Sequence, residues 1–252
     1  KILRATISSF NNETARRLAT RIKSEFRASN HSIKGMILDL RGNPGGVLTQ
    51  AVMLADLFLV NGTILSTLGR HPSSRHTYSA RGNDVLSNLP LVVLINGKSA
   101  SASEIVAAAL QDQERAIIVG TASYGKGSVQ SVSRLPNEGE LTLTWSRFVT
   151  PSGYVLHNLG VPPVVCTGHA EDNPEGIISQ TLKNISGLNE VLEAWHKVKG
   201  DDEKARVNLR GICPSNTRKG MVDIRVAEAL INNPVLYRRI IGISSSVAAV
   251  AK

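Results

Sequence analysis

The chain has 252 residues, of which 42% are apolar, 19% charged and 4% aromatic, with a formal net charge of +9. That length buries one large core or two modest ones, and the composition excludes collagenous, low-complexity and disordered classes. No apolar run approaches the ~20 residues that cross a bilayer. The basic excess lies partly on the polar side of one amphipathic segment (Arg16, Arg17, Arg21, Lys23, Arg27) and is otherwise scattered through the tail. Without a basic cluster interleaved with aromatics, a solvated face is favoured over a nucleic-acid or membrane surface. The first residue is Lys1, which fits a targeting segment removed or left out upstream.

Residues 2–8 read as a strand. Asn11 and Asn12 can cap a helix with the apolar stripe Ala15, Leu18, Ala19, Ile22 and Phe26, ended by Ser29, Asn30 and Ser32. Residues 36–40 form a short strand carrying Asp39 and finish in Arg41-Gly42-Asn43-Pro44-Gly45-Gly46, before a helix over 47–60 and a strand over 63–66. The polar stretch 67–89 predicts a mobile excursion or a surface hairpin. A buried strand over 91–95 leads into Ser99, Ser101 and Ser103 at the mouth of a helix over 103–113, and a further buried strand covers 116–119. Residues 141–149 alternate as a strand should, with Pro151-Ser152-Gly153 as its turn. Strands alternating with helices predict a largely parallel sheet covered on both faces. Beyond residue 165, segments 175–198 and 221–232 are helix-like and predict a helical appendage or second small domain.

Serine is favoured at a helix start because its oxygen accepts from a free backbone N–H, and the same N–H groups can receive an oxyanion. Spacing alone does not choose among the three serines. Gly120-x-x-x-x-Gly125-Lys126 resembles a phosphate-binding loop but has Gly127 where a Mg²⁺-binding hydroxyl is needed, and β-like residues follow it. The six histidines (His31, His71, His76, His157, His169, His196) have no distinctive setting. Lysine is an alternative base where burial holds the amine neutral. Cys166 and His169 make a C-x-x-H pair, too few ligands for zinc, so no metal site is expected.

Three strings taken together resemble a known family. Asp39-Leu40-Arg41-Gly42-Asn43-Pro44-Gly45-Gly46, Ser99-Ala100-Ser101-Ala102-Ser103-Glu104-Ile105 and Tyr124-Gly125-Lys126-Gly127-Ser128-Val129-Gln130 are similar, in order and spacing, to the C-terminal processing peptidases, or tail-specific proteases. The resemblance implies an α/β fold with a crotonase/ClpP-like core over residues 1–165, and leaves 166–252 as a mainly helical C-terminal region. It implies Ser101 as nucleophile, Lys126 as general base and Gln130 as its orienter. The oxyanion hole would be the Ala102 N–H with Gly45 or, preferably, Gly46.

No cofactor is implied. The expected substrate is the unfolded or flexible C-terminus of a protein, with room for a homo-oligomer or a regulatory partner. The expected location is an exported one, such as the bacterial periplasm. Export would favour a disulfide between Cys166 and Cys213, tying the tail to the body. Family members commonly carry a PDZ domain ahead of the core and a Gly-x-x-Pro-Asp string after the Pro-Ser-Gly turn. Here the chain starts at the core's first strand and has Gly160-Val161-Pro162-Pro163, so tail recognition is open. The competing expectation is a non-catalytic module of the same fold that binds an apolar ligand or peptide tail.

Overall fold

The computed structural model describes residues 1–30, 32–169 and 173–248; His31 lies outside them. In chain order the elements are β1 (Ile2–Thr6), α1 (Thr14–Ala28), β2 (Gly35–Asp39), α2 (Leu48–Asp56), β3 (Thr63–Leu68) and β4 (His76–Ser79). Next come β5 (Leu91–Ile95), α3 (Ala102–Asp112), β6 (Ile117–Gly120), β7 (Ser128–Arg134), β8 (Glu140–Val149) and β9 (Val165–Cys166). Five helices close the chain: α4 (Pro174–Lys183), α5 (Ile185–Lys197), α6 (Glu203–Ile212), α7 (Met221–Asn232) and α8 (Pro234–Ala248).

Two sheets result. The first is parallel throughout, in the order β1-β2-β5-β6-β9. Its central strands are apolar on both faces because helices cover both. Leu91, Val93 and Ile95 of β5 face the cluster that contains α1, α2 and α3, while Val92 and Leu94 face the cluster of α4, α5, α7 and α8. The helical tail expected as an appendage therefore covers one face of the sheet's central strands. Each Leu or Ile fully buried there is worth about 1.5–3 kcal/mol. The second sheet is antiparallel, in the order β4-β3-β8-β7.

On α1, Ala15, Leu18 and Ile22 are buried and the five basic residues are not, as its 3.6-residue period requires. The 67–89 stretch is a hairpin in part: β3 extends to Leu68 and pairs with β4. Its remainder is anchored rather than mobile, since Leu86 is fully buried and Asp84 pairs with Arg115 at 3.0 Å. The helix expected over 175–198 breaks at Asn184, whose N–H bonds back to the Gln180 and Thr181 carbonyls. Helix α6 escaped the sequence reading: its sheltered face is Ala205, Arg206, Leu209 and Arg210, half of it arginine, and its one fully buried residue is Arg206.

Candidate active site

Between β5 and α3 the chain makes the tight turn on which the three serines sit. Ser99 and Ser103 are fully buried and committed. The Ser99 hydroxyl donates to the Leu40 carbonyl at 2.9 Å and accepts from the Asn96 N–H, while the Ser103 hydroxyl donates to the Asn43 carbonyl at 2.9 Å. Ser101 differs from both. It is the N-cap of α3 at φ 56°, ψ −114°, a conformation that costs an L-residue on the order of 1–3 kcal/mol. It is half-buried, and among the described residues its side chain engages only the Glu104 N–H of its own helix turn, in a capping box, rather than another loop. Two serines are rivets and the third is presented.

Facing this turn is the loop after β2. Asn43 organises it: its amide donates to the Ile7 carbonyl, its side-chain oxygen accepts from the Gly45 N–H at 2.8 Å, and its own carbonyl accepts from the Ala100 N–H at 2.9 Å. A Cβ on Gly45 would lie 2.8 Å from Ser101 Cβ and 2.9 Å from the Ala102 nitrogen, so only glycine allows the loops to touch. With the Gly45 N–H already given to Asn43, the N–H groups of Gly46 and Ala102 are the ones without an acceptor among the described residues. At the loop's base, Arg41 is buried between Asp39 and Asp223, with contacts of 2.7 Å to each. Burial pushes the Arg41 pKa down, but the two carboxylates outweigh it and the net shift is upward.

The Tyr124–Gly127 loop meets the serine turn through Glu104, a residue the sequence reading gave no role. Its carboxylate is fully buried and accepts from four donors: the Ser101 N–H (2.8 Å), the Gly125 N–H (2.6 Å), the Lys126 N–H (2.9 Å) and the Ser123 hydroxyl. Burial raises its pKa, and these hydrogen bonds oppose the rise. The available signal was Ser101-x-x-Glu104, the pattern of a helix capping box. The second job, gripping the lysine loop, depends on Glu104 being buried at the sheet's end.

Lys126 itself is exposed, as is Gln130 on β7. Among the described residues no hydrogen bond joins the Lys126 amine to the Ser101 hydroxyl or to Gln130. Lys126 precedes β7, which begins at Ser128, so simple strand alternation does not carry across from 126 to 130. The glycine loop, Ser101, Ala102 and the Lys126 backbone are thus brought together, while the Lys126 and Gln130 side chains stand in solvent.

Behind the site, Cys166 and Cys213 are joined by a disulfide. It pins the start of a strap, residues 213–223, that bonds to both active loops. The Asn216 carbonyl accepts from the Gly97 N–H at 2.6 Å, the Arg218 carbonyl accepts from the Asn96 amide at 3.0 Å, and Asp223 holds Arg41. The six-residue string after Gly120 leads into β7, not a helix, so it lacks the helix N-terminus that a phosphate loop uses. Among the described residues no three His, Cys, Asp or Glu side chains cluster as metal ligands. His196 faces Asp112 at 3.7 Å, but Ser152 donates to Asp112 rather than to the imidazole, so this trio is not a serine–histidine relay.

A strained serine at a helix N-terminus is thus set against a glycine loop with free N–H groups on an α/β scaffold. The chain belongs to peptidase family S41, whose model matches residues 1–166. It is 50% identical over 131 residues to a carboxy-terminal-processing protease of Bartonella bacilliformis, and 42% identical over 129 residues to a carboxyl-terminal-processing protease of Synechocystis. Those matches cover 52% and 51% of this chain and 30% of each relative, so the chain spans under a third of their length. A solved photosystem II D1 C-terminal processing protease superposes with a TM-score of 0.57 at 32% identity, over 64% of this chain and 41% of that one. Mature CPAF in complex with lactacystin shares the fold alone, with a TM-score of 0.51 at 17% identity over 64% of this chain and 46% of that one.

Proposed function

We propose that the chain carries the catalytic core of an exported serine endopeptidase that cuts proteins near their C-termini through Ser101, Lys126 and Gln130. The observation that carries this reading is the contrast among the three serines: Ser99 and Ser103 are hydrogen-bonded to a distant loop, and Ser101 is held strained, engaged only within its own helix turn, beside open N–H groups. In the proposed reaction the Ser101 oxygen bonds to the scissile carbonyl carbon and its proton passes to the Lys126 amine. The carbonyl oxygen, now negative, lies against the Gly46 and Ala102 N–H groups, each such donor being worth about 3 kcal/mol. The C–N bond then breaks, and the lysine proton leaves with the amine. Water, activated by Lys126, releases the acyl group and restores the serine.

Lys126 must swing in from solvent for this, since a lysine acts as a base only where its amine is kept neutral. A substrate chain laid across the site would exclude water there. Gln130 would then orient the amine without adding charge. Export is supported by the disulfide, which persists in oxidising compartments. The exposed Lys126 also favours a second reading, a binding module of this fold that holds a peptide tail without cutting it.

One experiment separates them. Incubation with a disordered protein, followed by mass spectrometry, should show C-terminal fragments from the wild-type chain. Ser101→Ala should lower the rate at least ~10³-fold, while Ser103→Ala keeps most of it. Tight binding with no cleavage by the wild-type chain would establish the binder instead.

A further inference from the structure

A cleft of about 770 Å³ opens on the antiparallel sheet between the β3–β4 turn and β8. Arg70, His71 and Arg75 line it from the turn, Trp145 and Arg147 from β8, and no Asp or Glu contributes to its wall. On β8, Ser146 and Phe148 are buried while Trp145, the extra residue of a bulge opposite Val129 and Gln130, and Arg147 are exposed. The His71 and Trp145 rings lie 5.7 Å apart and form an aromatic side to the cleft. Arg75 is braced by its Nε, which donates to the Gly69 carbonyl at 3.0 Å, leaving its outer N–H groups uncommitted. Among the described residues none of the three guanidinium groups has a carboxylate partner, although Arg16, Arg21, Arg41 and Arg115 all do.

The cleft also borders the proposed catalytic loop. Arg147 stands in register with Ser128 of β7 on one side and Leu68 of β3 on the other. The next residue, Phe148, donates its N–H to the Gly127 carbonyl at 2.8 Å, one residue after Lys126. A second sign of unneutralised charge comes from His157, whose pKa is lowered by burial and lowered further by Arg147 and Arg206. Three uncompensated guanidinium groups repel one another and attract a planar anion that can accept from two N–H groups at once. The bare indole beside them favours a peptide, which brings apolar neighbours, over a free ion.

We infer that the Arg70–Arg75–Arg147 cleft is an anion subsite that binds a carboxylate of the peptide substrate, from an acidic side chain or from the free C-terminus. The word substrate rests on the peptidase reading; the carboxylate recognition does not.

The test therefore reads binding apart from turnover. Otherwise identical decapeptides with Glu, Gln or Lys at one position, each as free acid and as C-terminal amide, are titrated into the Ser101→Ala chain by tryptophan fluorescence. At least one carboxylate should improve affinity roughly tenfold over its neutral counterpart. Loss on Glu→Gln identifies a side-chain reader, and loss on amidation a terminus reader. In Arg75→Gln/Arg147→Gln and in Arg75→Glu/Arg147→Glu the acid-to-neutral ratio should fall towards one and then below it. Because each ratio is taken within a single variant, partial misfolding cannot mimic that reversal. Equal affinities across the set, a ratio that survives charge reversal, or tighter capture of an oligonucleotide than of any acidic peptide would each overturn the inference. A wild-type chain that cleaves nothing but keeps the ratio would sink only the peptidase reading, and one that cleaves all peptides alike would sink only the subsite.

Discussion

Ser99, Asn43, Ser103 and Glu104 are fully buried and bonded to one another's loops, whereas Tyr124, Lys126 and Gln130 stand in solvent. The first group lies where the parallel sheet ends against α3, so its geometry is fixed by the same packing that folds the protein. The second is tethered by its backbone, the Tyr124 N–H to the Ser99 carbonyl, the Lys126 N–H to Glu104 and Gln130 to β8, and its side chains are exposed. On the proposed reading, this difference would let the site hold its serine in strain while the lysine joins it only once water is excluded. Preorganisation at the serine costs conformational energy that the core supplies. A permanently buried lysine would cost several kcal/mol in desolvation, and an exposed one defers that cost to the substrate complex.

Separating activity from stability tests this division most severely. Lys126→Ala should abolish cleavage, with a loss of at least ~10³-fold, while the unfolding free energy stays within the small range of a surface change, about ±0.5 kcal/mol. A large fall in stability would mean that the lysine side is structural after all. Glu104→Gln should lower both, because an amide cannot satisfy four donors as a carboxylate does. About 2–4 kcal/mol of unfolding free energy is at stake when charged, buried hydrogen bonds are disrupted, measurable by urea denaturation. An unchanged Glu104→Gln variant would remove the buckle between the two sides.

Reducing the disulfide releases one end of the strap behind the loops. For a sequence separation of 47 residues, the chain-entropy model gives up to about 4 kcal/mol, and calorimetry in the presence and absence of reductant would measure it. The smallest expected effect is with pH. The folded-state pKa of His157 lies below its ordinary value, so the stability it contributes is present above about pH 6.5 and is lost as the pH falls through the folded value. Arg147→Gln should raise that pKa by removing a neighbouring positive charge, as NMR titration would show; no change would leave the cleft's field unsupported.

Local chemistry was legible without coordinates. The period of α1, the doubly buried strands and the glycine-rich turn each depend on residues a few positions apart, and the three strings that resemble C-terminal processing peptidases are equally local. Even there, sequence spacing could not separate Ser101 from Ser99 and Ser103, because all three suit a helix start. The partners that separate them, the carbonyls of Leu40 and Asn43, lie 59 and 60 residues away.

Tertiary structure alone decided the rest. Arg41 meets Asp223 across 182 residues, and Glu104 reaches the Lys126 loop across 22. The tail's helices, legible in part as helices, owe their place to the apolar face of the sheet they cover. A chain's periodicity specifies which face of an element is apolar; which other element will lie against that face depends on the order in which the strands assemble. That order brings distant side chains to one end of the sheet, and it is there that the three serines acquire different partners.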